Sequence, residues 1–287
     1  MLVVIGYGIV LICVFGAYVG MGGHLSALFQ PLELVLIGGA ALGAYVAANN
    51  MRSIKQLGNS LVRLFRKNKY DKALYLEILA CLFVITRKAK SEGKNVIESH
   101  IEAPEESDIF SQFPMVLEDK RVLNFICDYF RMIISSNMSA FELEQLMDEE
   151  IETCRHEMNV PVKGLKAVGD GLPAFGIVAA VLGVVKALAS IDQPPAILGD
   201  LISKAMVGTF LGILMAYGFV YPVADALDRR NSESVKTLEC IKVTLLAYMH
   251  GYLPAVAVEF GRKVLFSSVR PSFAELDEQV QLSKSAK

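Results

Sequence analysis

Four stretches of this sequence are long and apolar enough to cross a membrane, and they occur as two pairs. The uncharged stretches are Leu2 to Gly23, Leu34 to Met51, Gly171 to Val185 (continued by residues 187–191 after Lys186) and Ala205 to Ala224. Each is close to the roughly 20 residues that an α-helix needs to span hydrocarbon. The pattern predicts a polytopic membrane protein with a hydrophilic segment between its two helix pairs.

Basic residues are unevenly distributed among the connecting segments. Residues 22–33 contain no Lys or Arg, and residues 192–204 contain one. Basic residues instead follow the second and fourth stretches, at Arg52, Lys55, Arg63, Arg66, Lys69, Arg229, Arg230 and Lys236. The positive-inside rule therefore places residues 52–166 and 225–287, with both termini, in the cytoplasm.

The hydrophilic segment has helical patterning. Apolar residues recur on one face of residues 70–89, and the pattern resumes over residues 121–134 and 140–158. Ser139 followed by Glu142 predicts a capping box, whereas Pro161 and Gly164 predict a break before the third span. Ser232 to Tyr252 is a further predicted helix. No segment has a convincing strand pattern, so the predicted fold class is all-α.

These features predict four parts along the chain. Residues 1–50 hold transmembrane helices 1 and 2, and residues 51–169 form a helical cytoplasmic domain. Residues 170–225 hold transmembrane helices 3 and 4, and residues 226–287 form a cytoplasmic C-terminal helical segment.

Composition excludes several classes of function. A net charge of −2 gives no electrostatic footprint for nucleic acid. Cys154 and His156 have the spacing of half a metal site, but no second Cys/His pair accompanies them. We find no phosphate-binding loop, nucleophile elbow or zinc-protease motif. We therefore expect no catalytic residues, no metal site and no cofactor.

Small residues line one face of each helix in the second pair. The third span has Pro173, Gly176, Ala180, Gly183 and Ala187, and the fourth has Ala205, Gly208, Thr209, Gly212 and Ala216. One interpretation is that the two faces pack against each other within one subunit. The other is that they line a seam for another helix and a few waters. The Thr209 hydroxyl, with Pro173 and Pro222 removing backbone donors, favours the second interpretation.

Acidic residues are absent from the interior of the four stretches. Glu33, Asp170 and Asp225 lie at their edges. Because a proton or cation path usually needs an ionisable group at depth, a partner helix would have to supply that carboxylate.

Several motifs resemble those of one known family, the flagellar motor stator A subunits (MotA) of the MotA/TolQ/ExbB proton channel group. They are residues 205–214 with Pro222 eight positions on, residues 169–180, residues 147–152 and residues 258–263. The opening segment around Gln30 and Pro31 is similar as well. The resemblance extends over essentially the whole chain.

This resemblance implies a function and a set of partners. Subunits of this family form a pentameric ring in the inner membrane around two copies of a single-span MotB-like subunit, which supplies a transmembrane aspartate. Ion flow between the two kinds of subunit turns the ring. Its cytoplasmic domain then pushes the rotor switch protein FliG through charged residues.

The resemblance also implies the functional residues. The candidate ion path, which is also the seam for the partner, comprises Pro173, Gly176, Ala180, Thr209, Gly212, Tyr217 and Pro222. The candidate rotor contacts are Lys90, where relatives carry arginine, and Glu98. Lysine keeps the charge but replaces a planar, forked donor by a point charge.

Protons are the expected coupling ion, because sodium requires several oxygen ligands and Thr209 is the only hydroxyl on the two small-residue faces. The main alternative function is a TolQ/ExbB-type energiser of envelope transport, although proteins of that type usually have three spans. A third possibility is a membrane scaffold without transport, which the placement of Thr209 and the prolines disfavours.

Overall fold

The computed structural model describes residues 2–64, 66, 68–136 and 138–285, with side chains to residue 282, and these residues contain no strand. The α-helices are α1 Leu2–Gly20, α2 Leu25–Leu28, α3 Pro31–Ala48, α4 Met51–Leu64, α5 Lys72–Glu92, α6 Glu98–Glu102, α7 Pro114–Glu118, α8 Lys120–Ser135, α9 Ala140–Leu188, α10 Pro195–Ile213, α11 Tyr221–Met249, α12 Pro254–Val264 and α13 Phe273–Ser285. Three 3-10 segments lie at Lys94–Ile97, Pro104–Glu106 and Phe110–Gln112, and a π-helix lies at Leu214–Val220. The predicted all-α class is confirmed.

Four helical segments are long and apolar enough to span a membrane, as predicted. They are Leu2–Gly20, Leu25–Ala48, Ala140–Leu188 and Pro195–Met249, the last two extending well beyond the apolar stretch. Large apolar side chains stay exposed on α1 and α9, among them Ile5, Ile9, Ile12, Ile177, Val181 and Val185. Exposed apolar rows on helices of this length are surfaces suited to contact with lipid or with other membrane helices.

The chain divides into two compact units. The first, the membrane unit, contains the described parts of residues 1–67 and 158–230, and the second, the hydrophilic unit, those of 68–157 and 231–287. These boundaries differ from the predicted ones, since residues 51–64 and 158–169 pack with the spans. They do so because Leu57, Val162, Leu165 and Val168 belong to the core of the membrane unit.

The hydrophilic unit is built around α5. This helix packs against α7, α12 and α13, and Tyr75, Ile78 and Leu82 on it are fully buried. Its N-terminus is capped by Asp71, whose carboxylate accepts the Leu74 N–H at 3.1 Å. Central burial of α5 fixes the position of Lys90 near its C-terminal end.

The predicted capping box begins α9. Ser139 Oγ accepts the Glu142 N–H at 3.2 Å, and the Glu142 carboxylate accepts the Ser139 N–H at 2.8 Å. Both orphan donors at this helix start are therefore satisfied by side chains.

The predicted break at Pro161 and Gly164 is wrong. α9 runs without interruption through Pro161 and Pro173 over 49 residues. An internal proline costs about 3 kcal/mol, but continuing the helix buries Val162, Leu165 and Val168, and packing of this kind supplies most helical stability in proteins. Similarly, the helix predicted from Ser232 begins earlier, at Tyr221.

Within the membrane unit, α9 and α10 approach each other through glycines. A Cβ added at Gly176 would lie 2.8 Å from the Gly208 carbonyl oxygen, and one at Gly212 would lie 2.6 Å from the Leu172 carbonyl oxygen. Further along the pair, a Cβ at Gly183 would lie 2.5 Å from the Ala205 Cβ. The two backbones are therefore in direct contact along the small-residue faces, which no larger side chain would permit.

Substituting Gly212 by alanine should destabilise the membrane unit. The added methyl would meet the Leu172 backbone, which cannot rotate away, and overpacking of this kind costs about 1–3 kcal/mol. We expect G212A to lower the amount of protein in the membrane and its thermal stability in detergent. The matched control is G39A, because a Cβ on Gly39 in α3 meets nothing within 4 Å. Equal stability of the two variants would contradict the glycine contact.

Candidate functional site

The structure divides the candidate ion path into two groups. Gly176 and Gly212 are buried in the contact between α9 and α10 described above, so for these two positions packing within one subunit is what the structure shows. Their atoms are covered by the facing helix and do not line an open face. The structure thus shows a packing role for Gly176 and Gly212, and their part in an ion path stays a prediction.

Three other members of the candidate path lie beside that contact. Pro173, Ala180 and Thr209 are partly buried, and the Thr209 Cα would lie 3.4 Å from a Cβ at Gly176. Thr209, on α10, therefore lies beside Gly176, which follows Pro173 by about one helical turn on α9. A hydroxyl and a proline that are neither fully covered nor facing solvent lie where another helix or a water could reach them.

The last two members lie at a change of helix type in the fourth span. After α10 the backbone becomes the π-helix Leu214–Val220, and the N–H of Tyr221 donates to the carbonyl of Ala216, five residues back. Pro222 has no N–H and its ring crowds the carbonyl four residues before it, that of Gly218. Widening the helix is one way to relieve that crowding, and π-helical turns are common at functional sites. Tyr217 lies within the π-helix and is 65% exposed.

Polar contacts hold this end of the helix pair together. The Tyr221 hydroxyl donates to Asp170 on α9, and the rings of Tyr217 and Tyr221 are in tilted contact with centroids 5.1 Å apart. One turn further along, Lys166 pairs with Asp225 at 3.5 Å. Asp170 and Asp225, which the sequence placed at the span edges, are thus engaged in contacts between α9 and α11.

A groove of about 390 Å³ opens between α1 and the π-helical segment. Its lining residues are Leu2, Val3, Gly6, Tyr7, Val10, Tyr217, Gly218, Pro222, Asp225 and Arg229. Two members of the candidate path, Tyr217 and Pro222, therefore face α1 rather than the glycine contact. The sequence did not indicate any role for α1 at this site.

Glu33 is closer to the helix pair than its place in the sequence suggests. One oxygen of its carboxylate is buried without a hydrogen-bond partner among the described residues, and it would lie 3.3 Å from a Cβ on Gly208. The spacing in the sequence could have indicated this position. Glu33 is four residues before Ile37 and eight before Ala41, and both are buried on the same face of α3.

The candidate rotor contacts lie in the hydrophilic unit and are both exposed. Lys90, near the end of α5, donates from Nζ to the carbonyls of Gly251 at 3.2 Å and Tyr252 at 3.4 Å. It thereby satisfies carbonyls just beyond the C-terminus of α11, where a cation is favoured. Glu98 is exposed in the first turn of α6. Sequence reasoning identified the charge of Lys90 but not its capping contact.

His100 connects the segments that carry Lys90 and Glu98. Its Nε2 lies 2.9 Å from Lys88 Nζ, and its Nδ1 lies 3.0 Å from Ser107 Oγ and 3.2 Å from Asp108. Because an ammonium group only donates, Nε2 must accept, so Nδ1 carries the proton of a neutral ring. Burial and then the charge of Lys88 lower the pKa of His100, with a smaller opposing effect of Asp108.

The half-motif at Cys154 and His156 has no additional ligands nearby. Cys154 is partly buried in α9 and His156 is exposed. Across the described ranges, no group of three or more His, Cys, Asp or Glu side chains is placed to hold a metal ion.

Comparison with known sequences gives two family matches. Residues 4–93 match the model for the motility protein A N-terminal region, and residues 119–240 match that for the MotA/TolQ/ExbB proton channel family. Motility protein A of Salmonella typhimurium is 54% identical over 98% of this chain and 95% of its own length. Motility protein A of Escherichia coli is 53% identical over 99% of this chain and 96% of its own length.

Comparison with solved structures gives the same result for the fold. The chain is similar to a structure of the flagellar MotAB stator complex from Bacillus subtilis, with a TM-score of 0.74 and 25% identity over 96% of this chain and 98% of that one. It is also similar in fold to a C. jejuni MotAB structure, with a TM-score of 0.76 at 19% identity over 94% of this chain and 98% of that one. With relatives matched along nearly its whole length, the chain belongs to the motility protein A family, the multi-pass inner-membrane stator subunits of the bacterial flagellar motor.

Proposed function

We propose that this chain conducts protons together with a single-span MotB-like subunit and converts their flow into torque on the flagellar rotor. The observation that carries this proposal is the position of Pro173 and Thr209, partly exposed beside the tight glycine contact of α9 and α10. Such a contact gives a rigid pair of helices, and a hydroxyl at its side offers a polar position to water or to another helix.

The need for a partner follows from the missing carboxylate. Residues 171–185 and 205–224 contain no Asp or Glu, although a proton path usually requires an ionisable group at depth. The matched structures are of MotAB complexes. We therefore assign the transmembrane aspartate to the MotB-like subunit, which would lie against the open side of Pro173 and Thr209.

Protons suit this site better than sodium. Sodium, a hard cation, prefers several oxygen ligands, whereas Thr209 provides the only side-chain hydroxyl on the two small-residue faces. The description of the matched family as a proton channel family supports the same choice. Each proton that crosses releases about 2.3 kcal/mol per 100 mV, which is sufficient for a small change of packing.

The proposed mechanism uses the two prolines as points of bending. Protonation of the partner's aspartate removes a charge beside the helix pair, and the charged and neutral forms favour different packings against Pro173 and Thr209. Because α9 and α10 are locked by their glycines, the adjustment occurs at Pro173 and in the π-helical turn before Pro222. Alternation between the packings turns a ring of five copies around two partner subunits.

The exposed charges of the hydrophilic unit are the proposed contact with the rotor protein FliG. Lys90 and Glu98 carry opposite charges on exposed positions, and exposed pairs contribute only about 0–1 kcal/mol. Weak contacts suit an interface that is formed and released at every step. This role requires the hydrophilic unit and both termini to be cytoplasmic, in agreement with the positive charge after the second and fourth spans.

A role in envelope transport of the TolQ/ExbB type is less well supported. The match of residues 4–93 is to the motility protein A N-terminal region. We propose no catalytic activity, since the two sites contain packing, conduction and contact residues without a nucleophile–base pair.

The coupling ion is tested by motility of a stator-deletion strain that expresses this chain with its MotB-like partner. We expect swimming speed to be unchanged when external sodium is varied and to collapse when a protonophore is added. Speed that follows sodium would overturn the choice of ion but keep the stator role. Full motility of the deletion strain without this chain, in a strain with no second stator, would favour the envelope-transport alternative.

The role of Pro173 is tested by P173A. Alanine restores the backbone donor and removes the proposed point of bending at the open side of the pair, so we expect P173A to lose most of the wild-type torque. The matched control is P161A, in the same helix but buried, which should retain torque. Normal torque in P173A at normal membrane levels would refute the assigned role.

The lowered pKa of His100 predicts a pH dependence of stability. Because the folded state binds this proton less readily than the unfolded state, stability is lost as the pH falls through the ordinary value of 6.5. We expect the protein in detergent to melt at a lower temperature at about pH 5 than at about pH 8. H100Q, which stays neutral, should reduce this difference, and an unchanged difference would contradict the buried contact with Lys88.

A further inference from the structure

Tyr7 on α1 forms a hydrogen bond to the π-helix of the fourth span. The Tyr7 hydroxyl donates to the carbonyl of Phe219 at 2.8 Å, and the two rings lie with centroids 4.8 Å apart. Phe219 is within the π-helix Leu214–Val220, three residues before Pro222. The Tyr7 hydroxyl thus binds the backbone of the π-helix itself, and the Tyr7 ring contacts the ring of the same residue, Phe219.

A π-helical segment can leave a backbone carbonyl that needs a hydrogen-bond donor from another helix. At the end of the π-helix, backbone pairing returns from five to four residues, which leaves a carbonyl without its regular donor, and Pro222 has no N–H to offer there. In hydrocarbon no water is available to replace it. The Tyr7 hydroxyl supplies a donor at this point and satisfies its own polar group, which would otherwise be costly in an apolar helix.

Close approach of α1 to the π-helix is made possible by a glycine. A Cβ added at Gly218 would lie 3.2 Å from the Val10 Cγ1 and 3.2 Å from the Leu214 Cδ1. Val10 is three residues from Tyr7, on the same face of α1. α1 therefore turns the face of Tyr7 and Val10 to the π-helix, whereas Ile5, Ile9 and Ile12 on it are exposed.

We propose that Tyr7 is a positioning residue that holds the segment before Pro222 in its π-helical form. It does not touch the ion and acts through the Phe219 carbonyl. The inference rests on the coupling role proposed for Pro222. If the segment changed from π to α pairing, the backbone beyond it would turn by about 100°, the rotation of one residue in an α-helix. Tyr7 disfavours that change because its hydroxyl is bonded to a carbonyl of the π-helix, that of Phe219, whose position the change would shift.

This arrangement gives α1 a part in torque generation. Pro222, Asp225 and Arg229 all follow the π-helix and line the groove against α1, so their orientation depends on which helix type the segment adopts. Under high load, a segment that moves freely between the two forms would let the ring slip backwards without returning a proton. Under low load the same slip has little effect, because little force opposes the forward step.

The test is Y7F in a stator-deletion strain that expresses this chain with its MotB-like partner. Phenylalanine keeps the ring against Phe219 and removes only the hydroxyl. Beads attached to single motors give the speed increment for each stator unit that joins, at high and at low load. We expect Y7F to lower torque per unit at high load by about twofold or more, the size expected for one lost hydrogen bond, with low-load speed per unit unchanged.

The matched control is Y18F. Tyr18 lies on the same helix, and no hydrogen bond from its hydroxyl is found among the described residues, so its loss should leave both values unchanged. Wild-type torque per unit in Y7F would overturn the proposal. So would a reduced number of units that each keep full torque, because that result describes a role in assembly alone. Failure of the wild-type chain to restore rotation would instead refute the stator function on which the inference rests.

Discussion

The backbone contact between α9 and α10 decides what the rest of the membrane unit can do. Lipid tails are as apolar as leucine, so helices in a membrane associate through close packing. Gly176, Gly208 and Gly212 bring the two backbones within reach of one another's carbonyl groups. Because the glycines occupy the shared face, Thr209 and Pro173 are left at its side. The same contact therefore produces the rigid pair and the polar position next to it.

The prolines of the third and fourth spans affect their helices in different ways. α9 accommodates Pro161 and Pro173 without ending, whereas the fourth span responds to Pro222 with a π-helix. The difference lies in the neighbours. Pro161 is followed by apolar residues whose burial stabilises a continued helix. Pro222 instead follows Gly218, which has no side chain, so α1 can approach closely and Tyr7 can donate to a backbone carbonyl. The mechanism proposed above relies on this difference between a tightly packed helix pair and helices that are interrupted by proline beside it.

The sequence was sufficient for the spans and for the capping box at Ser139 and Glu142, because uncharged length and local side-chain chemistry decide both. It identified the small-residue faces but not the helices that cover them. Periodicity shows which residues share one face of a helix, but not which other helix packs against that face. The π-helix escaped prediction for a related reason. Pro222 predicts a disturbed helix, but the form of the disturbance depends on Tyr7, more than 200 residues away along the chain.

Lys90 shows how a surface charge acquires a fixed position. Two carbonyls beyond the end of α11 lie within hydrogen-bond distance of its ammonium group, and such a group has three donors, so one donor is left for a partner. Arginine at this position would offer five donors in a rigid fork and could cap the helix while also presenting a two-point contact. Lysine therefore keeps the positive charge in place on the hydrophilic unit but makes it a weaker and less directional contact. In the rotor interface proposed for Lys90, which would form and release at each step, lower directionality would shorten each contact and keep the long-range attraction between the two surfaces.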